Sequence, residues 1–344
     1  MVCRLDLWHR ARVRLGDLPA ECRDRSLEQI QIDLGMGLSA RQGRPFRMRF
    51  RSPVEYRRQR EGLSLLEWWD TPRGTLHRRS VWTADEAELE MVPRIDRWPI
   101  TSREDYFRYE EIVRHLEFEP TLEESRAHDA RIGSHGLPLG MIGANPMHDL
   151  MLSWVGYEQL YLDLADMPDV VSSAAEAGNR AYERMWPIVA ESPFEMVMHG
   201  VNFDSATTPP GLFREHFLPY LRRFNRMMHA AGKKTVFHGD GDQSHLLDLL
   251  VEAEDDVADC LAVSPLGKLT LDRAMAVWRG RITVWGGMPS PLLEARVSDA
   301  EFDAHLSRLA QAADAGGFIL GISDQAMPAS LWSRLRAMGR FGGR

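Results

Sequence analysis

The sequence predicts an α/β fold, a (β/α)8 TIM barrel carrying an N-terminal helical and β-ribbon elaboration. Three observations lead there. From about residue 120, short apolar runs alternate with amphipathic helical patterns, the rhythm of a mostly parallel sheet with helices outside. Each run stops at Gly, Pro, Asn, Asp or Ser, and several are followed by residues able to do chemistry, as at the carboxyl edge of barrel strands. No glycine-rich dinucleotide fingerprint follows any run, which disfavours a doubly wound sheet. A length of 344 residues suits one large barrel, so we expect a single domain with 1–100 as elaboration and 101–344 as barrel core.

In chain order, residues 1–40 read as helical, with a break at 15–19 and a helix start at Ser26. Residues 45–100 change character. Polar and apolar residues alternate over 47–50, and 71–76 forms a turn, so an antiparallel ribbon is expected here. A capped helix start follows at 101–106. The barrel strands are placed at 137–142, 194–199, 235–238, 259–263, 282–285 and 318–321, with helices such as 167–186, 211–231 and 299–315 between them.

Composition narrows the function. Hydrophobic content of 44% and charged content of 27% are those of a soluble globular protein. The net charge of −8 argues against nucleic-acid partners, which need a basic surface. Arginines gather early (Arg44, Arg47, Arg49, Arg51, Arg57, Arg58, Arg60), which reads as a solvated face and edge protection or, more sharply, as an entrance for anions. Cys3, Cys22 and Cys260 are odd in number and unpaired in spacing, so no disulfide framework is implied. The N-terminus lacks an apolar signal core, and no apolar stretch is long enough for a bilayer. We expect a cytoplasmic protein without membrane contact.

The stretch 235–242 carries the strongest chemical signal. A β-rich run ends in His238-Gly239-Asp240-Gly241, and an amphipathic helix pattern begins at His245. His238 and Asp240 stand two apart, which on a strand points both to one face. They could ligate a divalent metal with Asp204 or Asp324, move protons with Asp240 orienting His238, or serve structure, with Asp240 as a helix cap. His199, Asn202 and Asp204 follow the 194–199 strand. His199 reads equally as a packed histidine, and Asp204 as an Asx turn. Trp285 offers a plane for a flat ligand, although barrel packing is the simpler reading. Ser323, Asp324 and Gln325 close the last strand, and Cys260 reads as an inert buried thiol.

Four strand ends together resemble the uroporphyrinogen decarboxylase-like superfamily: 198–204, 237–241, 284–289 and 316–321. The segment 209–220 is similar to a helix of that group, and the match covers about residues 100–340. The resemblance implies a (β/α)8 barrel, often dimeric, that decarboxylates porphyrinogens or moves methyl groups between small substrates and a corrinoid. The Arg-Gln-Ala-Gly-Arg-type segment of the decarboxylase is missing, and Arg41-Gln42-Gly43-Arg44 is only a superficial echo. The methyltransferase branch is the better match, yet its His-x-Cys-Gly zinc turn has Asp240 for Cys, and the late Cys is absent from 321–325.

The resulting expectation is a corrinoid-linked methyltransferase acting on a small methylated substrate, with the corrinoid on a partner protein and a homodimeric assembly. His238, Asp240, Asp204 and Asp324 would be catalytic. His199, Asn202, Trp285 and Gln325 would bind substrate, and His238 with Asp240 would hold zinc or another divalent metal. Decarboxylation of a polycarboxylate and noncatalytic tetrapyrrole binding are the alternatives.

Overall fold

The computed structural model describes residues 1–38, 41–200 and 202–342. The chain forms two compact units: Met1–Arg44, Glu123–Gly143 and Ser192–Arg344 make one, Pro45–Leu122 and Ala144–Glu191 the other.

The second unit carries the antiparallel structure. Strand β1 (Phe46–Phe50) pairs with β6 (Leu116–Pro120), while β2 (Glu55–Glu61), β3 (Ser64–Thr71), β4 (Gly74–Val81) and β5 (Arg94–Arg97) form a four-stranded sheet. The expected ribbon is thus a full sheet. The turn at 71–76 is real and tied locally: Arg73 N donates to Thr71 Oγ1, whose hydroxyl donates to the Gly74 carbonyl. Strand β3 alternates, burying Leu65, Glu67 and Trp69, as a half-buried central strand does. The helix expected near 101–106 runs Arg103–Arg114. The Ser102 hydroxyl does not cap it; instead the Asp105 carboxylate gathers Thr101 N and Ser102 Oγ.

In the first unit six strands lie parallel in the order β12-β11-β10-β9-β8-β7. They are β7 (Leu139–Gly143), β8 (Met196–His199), β9 (Lys234–His238), β10 (Val257–Leu261), β11 (Thr283–Pro289) and β12 (Phe318–Ser323). Strand β10 begins two residues before its expected place, and β11 runs four beyond. Helices Leu218–Ala230, Leu247–Glu252, Leu271–Trp278 and Asp299–Asp314 alternate with the strands. The stretch expected as one helix over 211–231 contains a π turn, Phe213–Phe217, just before Pro219, which cannot donate to the helical ladder. One face of the sheet packs Leu139, Met196, Met198, Val236, Val257 and Trp285 into a single apolar cluster.

Six strands are fewer than the eight of a (β/α)8 barrel, and among the described residues no ladder joins β12 to β7. Single bridges stand at those edges instead. Val2 N donates to the Leu320 carbonyl (2.9 Å), Val2 bridges Gly37, and Gly43 bridges Gly140. No helix among the described residues is long and apolar enough to cross a membrane.

The bridge at Gly43 generates a prediction. A Cβ there would stand 2.6 Å from the Phe194 ring and press on the Leu139 carbonyl, so the chain must move off β7. Gly43→Ala should cost about 1–3 kcal/mol in chemical denaturation. An unchanged midpoint would show that this contact does not hold the β7 edge.

Candidate acid–base site

Strand register builds the site. Asp259 on β10 lies opposite His238 on β9 and Trp285 on β11, so three neighbouring strands put these side chains in one row. The row continues the apolar face two residues past Val236 and Val257. His238 Nδ1 is 2.8 Å from Asp259 Oδ2. An ionised carboxylate only accepts, so Nδ1 carries the proton and Nε2 is left as acceptor. Asp259 is 1% exposed, and its other oxygen takes the Arg41 guanidinium, which lies 5.4 Å over the Trp285 ring. Trp285 Nε1 donates to the Val2 carbonyl (3.1 Å), which fixes the ring.

Just beyond Asp259 the ladder bulges at Cys260, whose φ is +66°. A side chain in that left-handed region costs about 1 kcal/mol. The Cys260 Sγ accepts the backbone N–H of Asp324, itself at φ +64°. Burial pushes the Cys260 thiol well up, and the Asp259 charge pushes it further.

The loop after β9 brings in Asp240. Its carboxyl is held above the ordinary carboxylate range first by burial, then by the charges of Asp324 and Asp259, against the opposing pull of His238 and Arg4. Asp324 pairs with Arg4 at 3.2 Å. Asp204 shapes this loop rather than standing open to a ligand: Oδ1 accepts Ala206 N at 2.8 Å and Oδ2 accepts Asp242 N at 2.7 Å. Gly241, at φ +128°, is required where it stands, because a Cβ would lie 2.9 Å from the Asp204 carboxylate. The Asx reading of Asp204 describes what it does here.

His199 does not join the row. Its Nε2 is 2.6 Å from Asp255 Oδ1, both groups are buried, and its ring meets Phe224 edge-on at 5.5 Å. The strand's alternation accounts for it: Met196 and Met198 face the apolar cluster, so His199 faces the other way. Asn202 is exposed and Gln325 half-buried, and Ser323 Oγ donates to the Leu261 carbonyl. Sequence reasoning missed Asp259, Arg41 and Arg4.

Among the described residues, His238, Asp259 and Cys260 are the one group of three metal-type donors within 4.8 Å of one another; Asp240, Asp204 and Asp324 are outside it. The donor set does not fit a resident divalent cation. Both Asp259 oxygens are engaged, one by the Arg41 guanidinium and the other by His238. Asp240, expected to share a metal with His238, lies outside the three-donor group that contains His238.

No protein-family model matches the chain, and no curated protein does. Solved structures similar to it include a methyltransferase from Methanosarcina mazei (13% identity, TM-score 0.48), aligned over 64% of this chain and 62% of that one. The chain thus spans less than two thirds of that protein. A dipeptide epimerase from Methylococcus capsulatus, in complex with Mg, aligns over 86% of this chain and 80% of its own at 11% identity and a TM-score of 0.25.

Two predictions follow from the charges. Asp259→Asn leaves Arg41 without its counter-charge and should cost about 3 kcal/mol in denaturant unfolding. The carboxyl of Asp240 titrates higher folded than unfolded, so the folded state binds the extra proton and stability falls as pH rises through that window. Asp240→Asn should therefore melt above the parent near neutral pH, with the gap closing below about pH 4. A gap independent of pH would contradict the assignment.

Proposed function

We propose that the chain is an enzyme of the uroporphyrinogen decarboxylase-like superfamily that removes a methyl group from a small methylated alcohol or amine. The observation that carries this reading is a carboxyl whose pKa is raised by burial, Asp240, in the loop after a histidine that is hydrogen-bonded to a buried carboxylate. The isolated bridges at Val2, Gly37 and Gly43 support a barrel in which the chain around Val2 and the chain around Gly43 stand where two further strands belong.

A corrinoid on a partner protein would supply the nucleophile that accepts the methyl group. This chain supplies the proton. As the bond from methyl carbon to donor oxygen or nitrogen breaks, its electron pair stays on the heteroatom, and the Asp240 proton neutralises it. The carboxylate left behind is reprotonated from water. His238 Nε2, which no described protein group takes, orients the substrate's polar hydrogen, while Asp259 fixes the imidazole from behind. The same reading places the protein in the cytoplasm as a homodimer; its three cysteines are free and buried.

A polycarboxylate decarboxylase would call for arginine charge free to hold carboxylates. Arg41 and Arg4 are already committed to Asp259 and Asp324, which favours the methyl-transfer reading.

The test mixes the protein with reduced free cobalamin and a panel of methanol, methoxylated aromatics and methylated amines, following corrinoid absorbance. Asp240→Asn should slow transfer about a hundredfold, and the parent rate should fall as rising pH ionises Asp240. Full activity of the His238→Ala, Asp240→Asn double variant would discard the assignment. Loss of carbon dioxide from a polycarboxylate, with every methyl donor inert, would establish the decarboxylase instead.

A further inference from the structure

The second unit encloses a cavity of about 650 Å³ that the chemistry at His238 does not use. Five aromatic side chains line it: Phe50, Tyr56, Trp69, Trp154 and Tyr182. The rings are mutually supported. Phe50 and Tyr56 stand 5.6 Å apart, Tyr56 and Trp69 5.4 Å, and Trp69 and Trp154 4.7 Å.

Charge in the wall is uneven. Arg78 is paired with buried Glu67 at 2.7 Å and lies over Trp69, and Arg49 is paired with Glu119 at 2.7 Å and Glu117 at 3.2 Å. Both guanidinium groups are thus compensated. Asp149 is different. Its Oδ2 accepts Trp154 Nε1 at 2.8 Å and Tyr182 Oη at 3.1 Å, and no cation among the described residues pairs with it. Two neutral donors orient the carboxylate without cancelling its charge. Aromatic faces carry negative quadrupole potential, and an uncompensated carboxylate among them adds to it.

We propose that this cavity binds an organic cation of the alkylammonium class, its charge toward Asp149 and its methyl or methylene groups against the rings. Arg78 over Trp69 shows one such ring face already in contact with a cation. A metal ion is a poor occupant, because Glu67 is taken by Arg78 and the wall leaves it one unpaired carboxylate and no water-replacing cage. An anion would meet Asp149 and find both arginines taken. The inference is independent of the methyl-transfer chemistry, since it concerns equilibrium binding.

The experiment is calorimetric titration of the full chain with choline and with its neutral isostere, the dimethylbutanol in which carbon replaces nitrogen. Choline should bind saturably, and the isostere about tenfold more weakly or worse. Asp149→Asn should weaken choline about tenfold and leave the isostere unchanged. Should that variant fail to fold, Tyr56→Leu carries the test, because Tyr56 is 40% exposed and its replacement removes one ring of the wall; a severalfold loss is expected. Absence of saturable choline binding, equal binding of the two compounds, or parent affinity in the variant that folds would each overturn the proposal.

Discussion

The first unit turns on the Asp259 carboxylate. It is 1% exposed, and a lone buried carboxylate is unfavourable by several kcal/mol unless paired and hydrogen-bonded. Here the pairing comes from two directions: Arg41, at the far end of the sequence, and His238, on the adjoining strand. Each gains a fixed position in return. Arg41 settles over Trp285, and the His238 imidazole is held in one tautomer. The strand register sets this up before any side chain chooses a rotamer, because parallel pairing places 238, 259 and 285 side by side.

The bulge at Cys260 and the loop at 239–242 extend the row outward. Cys260 in a left-handed conformation bends β10 where it leaves the sheet, and its sulfur meets the backbone of Asp324. Asp204 draws the loop after β9 inward by accepting the Asp242 amide, and Gln243 Nε2 donates to the Phe203 carbonyl at 2.8 Å. These contacts are structural. They decide where Asp240 sits, and therefore how far its carboxyl is withdrawn from water.

Much of this was legible in the residues. The parallel rhythm follows from short apolar runs with polar ends, and His238 with Asp240 stood out because polar residues rarely close so apolar a run without a use. The strand at 257–261 shows where pattern reading stops. Reading it two residues late moved Asp259 from the middle of the strand to its amino end, away from the chemistry, and so hid the residue that organises the site. Its signal was present: Asp259 stands two beyond Val257, as His238 stands two beyond Val236. Arg41 left no such trace, since its partner lies 218 positions away and only the folded chain joins them. His199 misled for the converse reason. It ends a strand as His238 does, but with its parity reversed, which sends it to Asp255 and Phe224.

The carboxylates of Asp259 and Asp240 sit in different environments. A cation-binding site needs its acids ionised and unclaimed. Both Asp259 oxygens are taken by partners, Arg41 on one and His238 on the other. Asp240 has burial and two like charges against its ionised form, which raise its pKa. Under the methyl-transfer proposal, a carboxyl at position 240, in the loop after a histidine anchored from behind, would act on the leaving group directly.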